Sequence, residues 1–436
     1  MRIGSRAATI ILPAFLALFP LGAAEGSSPS GSGNSDSAKA RKFSASVSLR
    51  RSSAKTSKKK KPSSSKAQPP RTSPAKPRPP APRTAPTKPS ATPLFADEEA
   101  VETESVPLKA ERAFADFDLP TDNQLIFSKT DPNRFFQPTF SGRIISANFG
   151  FVRNPGRRGQ YTRFHEGVDI RALQHDDEGE PADKVFAAGS GKIVYLCNQT
   201  SQSNYGKYVV IQHDLFGCPI YTLYAHLSSV NEKLETGQSI KRGGKIGVMG
   251  RTSNEFEIDS GHAHLHFEVN LMLNRRYLEW SQKRGNGLPT HGLYNGANLI
   301  GIDPIRFYQF LQINPDLSVG DFVTREPVAF RVLAPKGKRF SWIEQYPFAL
   351  TKAPDENTVA YEISMTYYGL PVRVAPKTRD EISPTRQQVL AQKRYPLTFA
   401  SVNELTGHGP CGLLTAHGKR WRLSAKGREW LKQLLF

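Results

Sequence analysis

Cysteine is nearly missing: Cys197, Cys218 and Cys411 are the only three in 436 residues. So small and odd a number excludes a disulfide scaffold, in which even sets of cysteines staple a small secreted domain. Cys197 ends one expected strand and Cys218 begins another, which leaves a bridge between them open. No cysteine lies near residue 24, so nothing there suggests a lipid anchor. Long apolar runs are missing too. The longest near the start, residues 7–21, is interrupted by Pro13 and Pro20 and falls short of the roughly 20 apolar residues that a membrane-spanning helix needs. With Arg2 and Arg6 before it and Gly22, Ala23 and Ala24 after it, residues 1–24 read as a secretory signal. The expectation is an exported protein of the periplasm, envelope or extracellular space, with no transmembrane segment in the mature chain.

Acids are scarce where bases are dense. Residues 26–95 hold one acid, Asp36, against sixteen Lys and Arg, and so carry +15 of the net +20. Large apolar residues are also rare there, so this stretch cannot bury enough surface to offset its chain entropy. Residues 25–109, including an acidic transition through Asp97, Glu98, Glu99, Glu102 and Glu104, are expected to be a disordered arm rich in Lys, Pro and Ser. The run "KTSKKKKPSSSK" at 55–66 would suggest nucleic acid in a cytosolic chain. Behind a secretory signal that reading loses most of its weight, which leaves contact with anionic envelope polymers or a solvated spacer. Composition favours the spacer.

From Arg143 onward, short apolar runs alternate with Gly, Asn and Asp: "RIISANFGF", "KVFAAGSGKIVYLC", "YGKYVVIQHD", "PIYTLYAHL", "GGKIGVMG" and "HLHFEVNLML". Short strands separated by turn residues predict a mostly β fold, an antiparallel sandwich, over 110–311 with its core at 143–311. An irregular wrap at 110–140 leads into it. Two glycine-rich pieces, "VFAAGSGKIVY" and "LETGQSIKRGGKIGVMG", are similar to the paired turns of biotinyl and lipoyl carrier domains. Neither has the flanks of an attachment lysine, so the likeness is architectural. Residues 312–436 read as a small α+β accessory domain of unknown role, with strands in "EPVAFRVLAP", "TVAYEISMTYYGLPVRVAP" and "YPLTFASV" and a terminal helix in "SAKGREWLKQLLF". Three loose candidates there, His408, Cys411 and His417, are weak grounds for a second metal site.

"GHAHLHFEVN" (261–270) puts three histidines into five positions. Alternation along a strand turns His264, His266 and Glu268 to one face and Leu265, Phe267 and Val269 to the other, the core face. Upstream, "RFHEGVDIRA" offers His165 and Asp169 around Gly167, and "LYAHLSSV" places His226 at a strand end, with Thr222, Tyr224 and His226 alternating onto one face. Each piece alone is commonplace. His262 belongs to the preceding turn, and His175, His213 and His291 read as surface residues without partners in the pattern.

Together and in this order, "FHEGVD", "YGKYVVIQH", "LYAHL" and "HLHFE" resemble the lysostaphin and LytM family of zinc metallopeptidases that cut peptidoglycan. The resemblance spans about 145–308. It implies that His165, Asp169 and His266 bind a single Zn²⁺ and that His226 and His264 are the catalytic pair. Three protein ligands leave a fourth position for water, the arrangement of a catalytic zinc. The implied function is an exported zinc endopeptidase hydrolysing peptide bonds in peptidoglycan stems or cross-links through a metal-activated water. The alternative is a non-catalytic envelope protein of the same fold that binds or activates another wall hydrolase. A basic-arm nucleic-acid binder gives the histidines no work, so nucleic acid is set aside as a partner. Three departures from the family pattern, the loop after Asp169, "RTSNEFEIDSGHA", and an insertion at 273–300, bear on substrate preference more than on chemistry.

Overall fold

A computed structural model describes residues 117–153, 163–214, 217–254, 257–313, 318–407, 411–418 and 420–436. The expected signal at 1–24, the arm at 25–109 and His408 lie outside these residues. The described residues belong to one compact unit.

The fold is mostly β and its strand pairs are antiparallel. Six strands of the main seven-stranded sheet are β1 (Val168–Arg171), β2 (Gly191–Cys197), β3 (Lys207–His213), β4 (Ile220–Leu227), β5 (His264–Met272) and β6 (Leu299–Ile302). Their order is β6-β5-β4-β3-β2, continued by the two-residue strand Ser239–Ile240, with β1 joined to β5. β1 and β6 share one edge of β5: β1 pairs with its first half and β6 with its second. β-branched and aromatic residues dominate these strands, as a pleated, doubly covered surface favours. Ile193, Val209, Ile211, Tyr224, Leu265, Phe267 and Val269 point into the main core. Tyr208, Val210, Leu223, Ala225 and Met272 form a second apolar layer on the opposite face.

Two sequence expectations need correction here, and a point the sequence left open, the Cys197–Cys218 bridge, is answered. The stretch "RIISANFGF" is not a core strand; it forms a 3₁₀ turn, Ile144–Ala147, followed by the short strand Val152–Arg153. Gly150 lies between them with φ of +84°, a left-handed conformation that interrupts extended backbone. Cys197 and Cys218 are both buried and form no disulfide, because they belong to apolar clusters on opposite sides of the sheet. His213 is no surface residue: it is fully buried, its Nδ1 donating to Ser190 O at 3.0 Å and its Nε2 accepting from Thr222 Oγ1 at 2.7 Å. Burial lowers its pKa to about 4.

The wrap preceding the sheet is irregular as expected, with 3₁₀ turns at Leu125–Phe127 and Pro132–Phe135 and with Phe135 fully buried. The insertion at 273–300 contains a helix, α1 (Tyr277–Lys283). Beyond residue 312, β7 (Phe330–Pro335), β8 (Ala360–Met365), β9 (Pro371–Lys377) and β10 (Leu397–Ala400) make a four-stranded sheet in the order β9-β8-β7-β10. The chain ends in α2 (Ala425–Leu434), capped by Ser424 accepting from Gly427 N. The core runs without a break from the main sheet through Phe307 and Phe322 to Val332, Ile363, Leu431 and Leu434. Polar contacts cross the same seam: Met272 N donates to Tyr346 Oη at 2.8 Å, Asn274 Nδ2 to Gln433 O at 2.6 Å, and Arg276 Nη1 to Phe436 O at 2.8 Å.

Candidate metal centre

Strand register assembles the centre. Asp169 on β1 stands directly opposite His266 on β5, so their side chains leave the sheet on one face as neighbours. His165 enters from the turn before β1. Gly167 makes that approach possible, since a Cβ there would collide with the backbone oxygen of Phe267. His165 Nε2 lies 2.9 Å from Asp169 Oδ1 and 3.2 Å from His266 Nδ1, and His266 Nδ1 lies 2.9 Å from the same Oδ1. The three donor atoms thus fall within 4.8 Å of one another, and all three residues are buried.

His226 reaches this face by an irregularity, which corrects the expected alternation. Tyr224 pairs with Phe267 and Thr222 with Val269, so both face the core. Continued alternation would send His226 there as well. Instead His226 has φ of +61°. The β3–β4 register slips at this point: Lys207 faces Leu227 whereas Val209 faces Tyr224, so β4 carries one extra residue. This bulge reverses the parity and turns His226 to the histidine face, where its ring centroid lies 5.0 Å from that of His264 and 5.9 Å from that of His266. His226 N donates to Tyr205 O at 2.9 Å, which holds the bulge.

Hydrogen bonds set the imidazole tautomers. A carbonyl only accepts, so each ring nitrogen facing one must carry the proton. His165 Nδ1 donates to Asn148 O at 2.8 Å, His226 Nδ1 to Thr252 O at 2.8 Å and His264 Nδ1 to His262 O at 2.7 Å. Each therefore keeps a lone pair on Nε2. His266 is turned the other way, its Nε2 donating to Glu268 Oε1 at 2.8 Å, which frees Nδ1 for the centre. Glu268 also accepts from Tyr205 Oη at 2.9 Å and from Asn270 Nδ2 at 2.8 Å.

Burial alone would raise the Asp169 carboxyl, but the neighbouring His165, His264 and His266 imidazoles hold it well below the carboxylate range. At His266 burial opposes a charge, yet with the centre empty the adjacent Asp169 and Glu268 carboxylates favour the doubly protonated ring and raise its pKa to about 10. Burial lowers both His226 and His264; at His226 the neighbouring histidines add to the effect, and at His264 Asp169 opposes it. Burial and the Glu268 carboxylate push Glu166 up to about 8. Two nitrogens and a carboxylate oxygen, each oriented by an outer hydrogen bond or ion pair, with two carboxylates favouring positive charge between them, fit a divalent ion of zinc type.

The centre lies in a cleft of about 950 Å³. Ser253, Ile258 and His262 line it, so the segment "RTSNEFEIDSGHA" does shape the groove. The loop after Asp169 is tied to that segment through Glu180, which accepts from Arg251 Nε at 2.7 Å and Nη2 at 2.8 Å. His262 sits in the 3₁₀ turn Ser260–His262 as expected, and His175 is exposed. His291 is partly buried, its ring bonded to Tyr195 Oη and Gln202 O. In the C-terminal part Cys411 is buried and bonds to Tyr367 O, while His417 is exposed on a hairpin, so these two do not form a second centre.

Sequence reasoning missed the supporting residues: Glu268, Tyr205, Asn148 and Thr252. Glu268 carried a signal, because it shares the strand face of His264 and His266. Asn148 and Thr252 act through backbone carbonyls, which any residue supplies. Arg153, whose Nη2 lies 3.6 Å from Asp169 Oδ2, was also missed.

Fold and centre together put a His/Asp/His group that could hold a metal ion on one face of an antiparallel sheet. Residues 163–279 match the model of Peptidase family M23, and the chain carries a domain of that family there. Over 105 residues it is 35% identical to the uncharacterized lipoprotein YgeR of Escherichia coli K12, covering 24% of this chain and 34% of that protein. The chain thus spans about a third of the length of this curated relative. Among solved structures it is similar to a zinc-containing peptidase from Vibrio cholerae, with 28% identity, 31% of this chain and 36% of that one covered, and a TM-score of 0.21. It is also similar to the catalytic domain of lysostaphin from Staphylococcus simulans, with 23% identity, 37% and 89% covered, and a TM-score of 0.24.

Proposed function

We propose that this protein is an exported zinc endopeptidase that hydrolyses peptide bonds in the stems or cross-links of peptidoglycan. One observation carries the reading: His165 Nε2, Asp169 Oδ1 and His266 Nδ1 converge within 4.8 Å, with the rings of His226 and His264 beside them. His165, Asp169 and His266 would hold one Zn²⁺, which when bound supplies Lewis acidity and lowers the pKa of a coordinated water to about 7.

The chain's own residues do the rest. Asn148 O and the Glu268 carboxylate orient the His165 and His266 rings, so that each presents a lone pair inward. Burial keeps His226 and His264 neutral, and their Nδ1–H bonds to backbone leave Nε2 free to accept a proton or, once protonated, to donate one to a developing oxyanion or leaving amine. His264 Nε2 lies 3.4 Å from Asp169 Oδ1, within reach of an atom held at the centre. Burial of His165, Asp169 and His266 strengthens the interactions among them.

A non-catalytic wall-hydrolase activator of the same fold has no use for a complete donor set with outer hydrogen bonds, so the hydrolytic reading is preferred. The test is digestion of purified sacculi by the metal-loaded protein with and without a chelator, with the released peptides identified. Soluble peptides released only by the loaded form are the expected result. Equal release after chelation overturns the zinc mechanism, and no release under either condition overturns the hydrolase reading.

A further inference from the structure

The two oxygens of the Asp169 carboxyl meet different company. Oδ1 belongs to the donor triangle, 2.9 Å from His165 Nε2 and from His266 Nδ1 and 3.4 Å from His264 Nε2. Oδ2 meets Arg153 Nη2 at 3.6 Å, and among the described residues this is its one cation. The asymmetry bears on the metal, because a carboxylate can give a divalent ion one oxygen or both.

A single ribbon sets both contacts. Val152–Arg153 pairs with Arg163–Phe164, Val152 opposite Phe164 and Arg153 opposite Arg163. The pairing continues toward the centre, where His165 N donates to Phe151 O and Gly150 N to His165 O, each at 2.9 Å. The strand that delivers His165 to Oδ1 is therefore bonded to the strand that delivers Arg153 to Oδ2.

The guanidinium does not stand there to complete its own hydrogen bonds. Arg153 Nε is buried without a partner, which costs stability, and 3.6 Å is the distance of an ion pair and not of a hydrogen bond. Its action on Asp169 is thus one of charge, and salt screens it little because the carboxylate is buried. A fixed positive charge on Oδ2 opposes the approach of a second cation to that oxygen and leaves Oδ1 as the donor.

We propose that Arg153 is a positioning residue that keeps Asp169 a one-oxygen ligand, so that the fourth position at the ion stays open to water. This rests on the metal reading of the centre. A positive charge so close to the ion by itself weakens metal binding. Loss of Arg153 should therefore change the ligand set without loosening the metal, whereas loss of a purely structural support would loosen it.

The test is cobalt binding to the full chain, read by visible absorption, in wild type, Arg153→Leu and Arg153→Lys. Cobalt with four ligands in a tetrahedral array absorbs visible light more strongly than cobalt with a larger set, so band intensity reports the coordination. Wild type is expected to show the strong bands of three protein ligands and one water. Arg153→Leu, which brings no donor atom of its own, should bind cobalt at least as tightly, and its bands should lose intensity as Oδ2 joins the shell. Arg153→Lys, which restores a charge beside that oxygen, should regain the wild-type intensity. Arg153→Met serves as the neutral variant if the thermal melt shows that Arg153→Leu does not fold. Wild-type band intensity in the folded neutral variant, or weaker cobalt binding by it, overturns the inference alone. A wild type that takes up no cobalt overturns the metal reading and the inference with it.

Discussion

On one face of β5, Leu265, Phe267, Val269 and Leu271 are fully buried among apolar neighbours; on the other, His266, Glu268 and Asn270 are buried almost as deeply. The first face needs only shape and area to be stable. The second removes an imidazole, a carboxylate and an amide from water, which is costly unless each finds partners. His266 and Glu268 find them, in Asp169, Tyr205, Asn270 and each other, whereas Asn270 Oδ1 has none. A hydrophobic replacement would fill this space at less electrostatic cost, so stability alone does not account for the polar face.

That contrast yields its largest test at the donor atoms. His165→Ala, Asp169→Ala and His266→Ala should each lose bound zinc and bring sacculus digestion down to the chelated background. His226→Ala and His264→Ala should keep the metal and lose about 10²–10⁴-fold in turnover, as expected for removed proton-transfer groups. Metal analysis beside a digestion assay distinguishes the two sets. Full hydrolysis by His165→Ala would end the assignment. On the apolar face the same kind of truncation should act on stability instead. Phe267→Ala, which empties a fully buried ring site beside Tyr224, is expected to lose about 3–5 kcal/mol in urea unfolding.

A histidine in the apolar core sharpens the comparison. His213 and His266 are both buried, yet His213 hydrogen-bonds only to neutral groups and burial, outweighing the nearby Asp214 charge, lowers its pKa to about 4, while two carboxylates raise His266 to about 10. The folded chain keeps His213 neutral, and unfolding lets it take a proton at the ordinary 6.5. The unfolded state then binds more protons, so stability falls as pH drops from 6.5 toward 4 and the loss is complete below that. A shift of this size corresponds to about 3 kcal/mol. In His213→Gln, the acid limb of the melting temperature between pH 6.5 and 4 should flatten. A limb as steep as wild type would show that other groups carry the acid sensitivity.

How much of this was legible in the sequence depends on whether it follows from periodicity. The two faces of β5 follow from strict alternation, and "HLHFEV" shows them directly. The pairing of Asp169 with His266 depends on which strands are neighbours, a long-range fact that came through family resemblance alone. The place of His226 defeats periodicity outright: the residue belongs by alternation with Thr222 and Tyr224 in the core, and only an extra residue at positive φ brings it to His264. His213 looked like a surface residue because its carbonyl and hydroxyl partners, Ser190 and Thr222, become visible only once β3 is paired with β2 on one side and β4 on the other. The packing of residues 312–436 stayed hidden for the same reason, since their core is shared with the main sheet.

The smallest expected effect is also the most specific to the polar face. Glu268 does not reach the donor triangle; it accepts from His266 Nε2 and so fixes which nitrogen faces inward. In Glu268→Gln the side-chain oxygen still accepts that bond and the shape is kept, but the negative charge behind the ligand is gone. An outer partner of a metal-binding histidine contributes about 10- to 100-fold in affinity, and Gln should fall toward the lower end because the bond survives. Chelator competition against the folded protein measures this directly. Glu268→Ala, which deletes the acceptor and leaves Tyr205 and Asn270 without a partner, should fall at the upper end and also lower the melting temperature. Zinc affinity unchanged in both variants would mean that Glu268 serves only to neutralise His266 within the fold, and that the polar face owes its burial to packing after all.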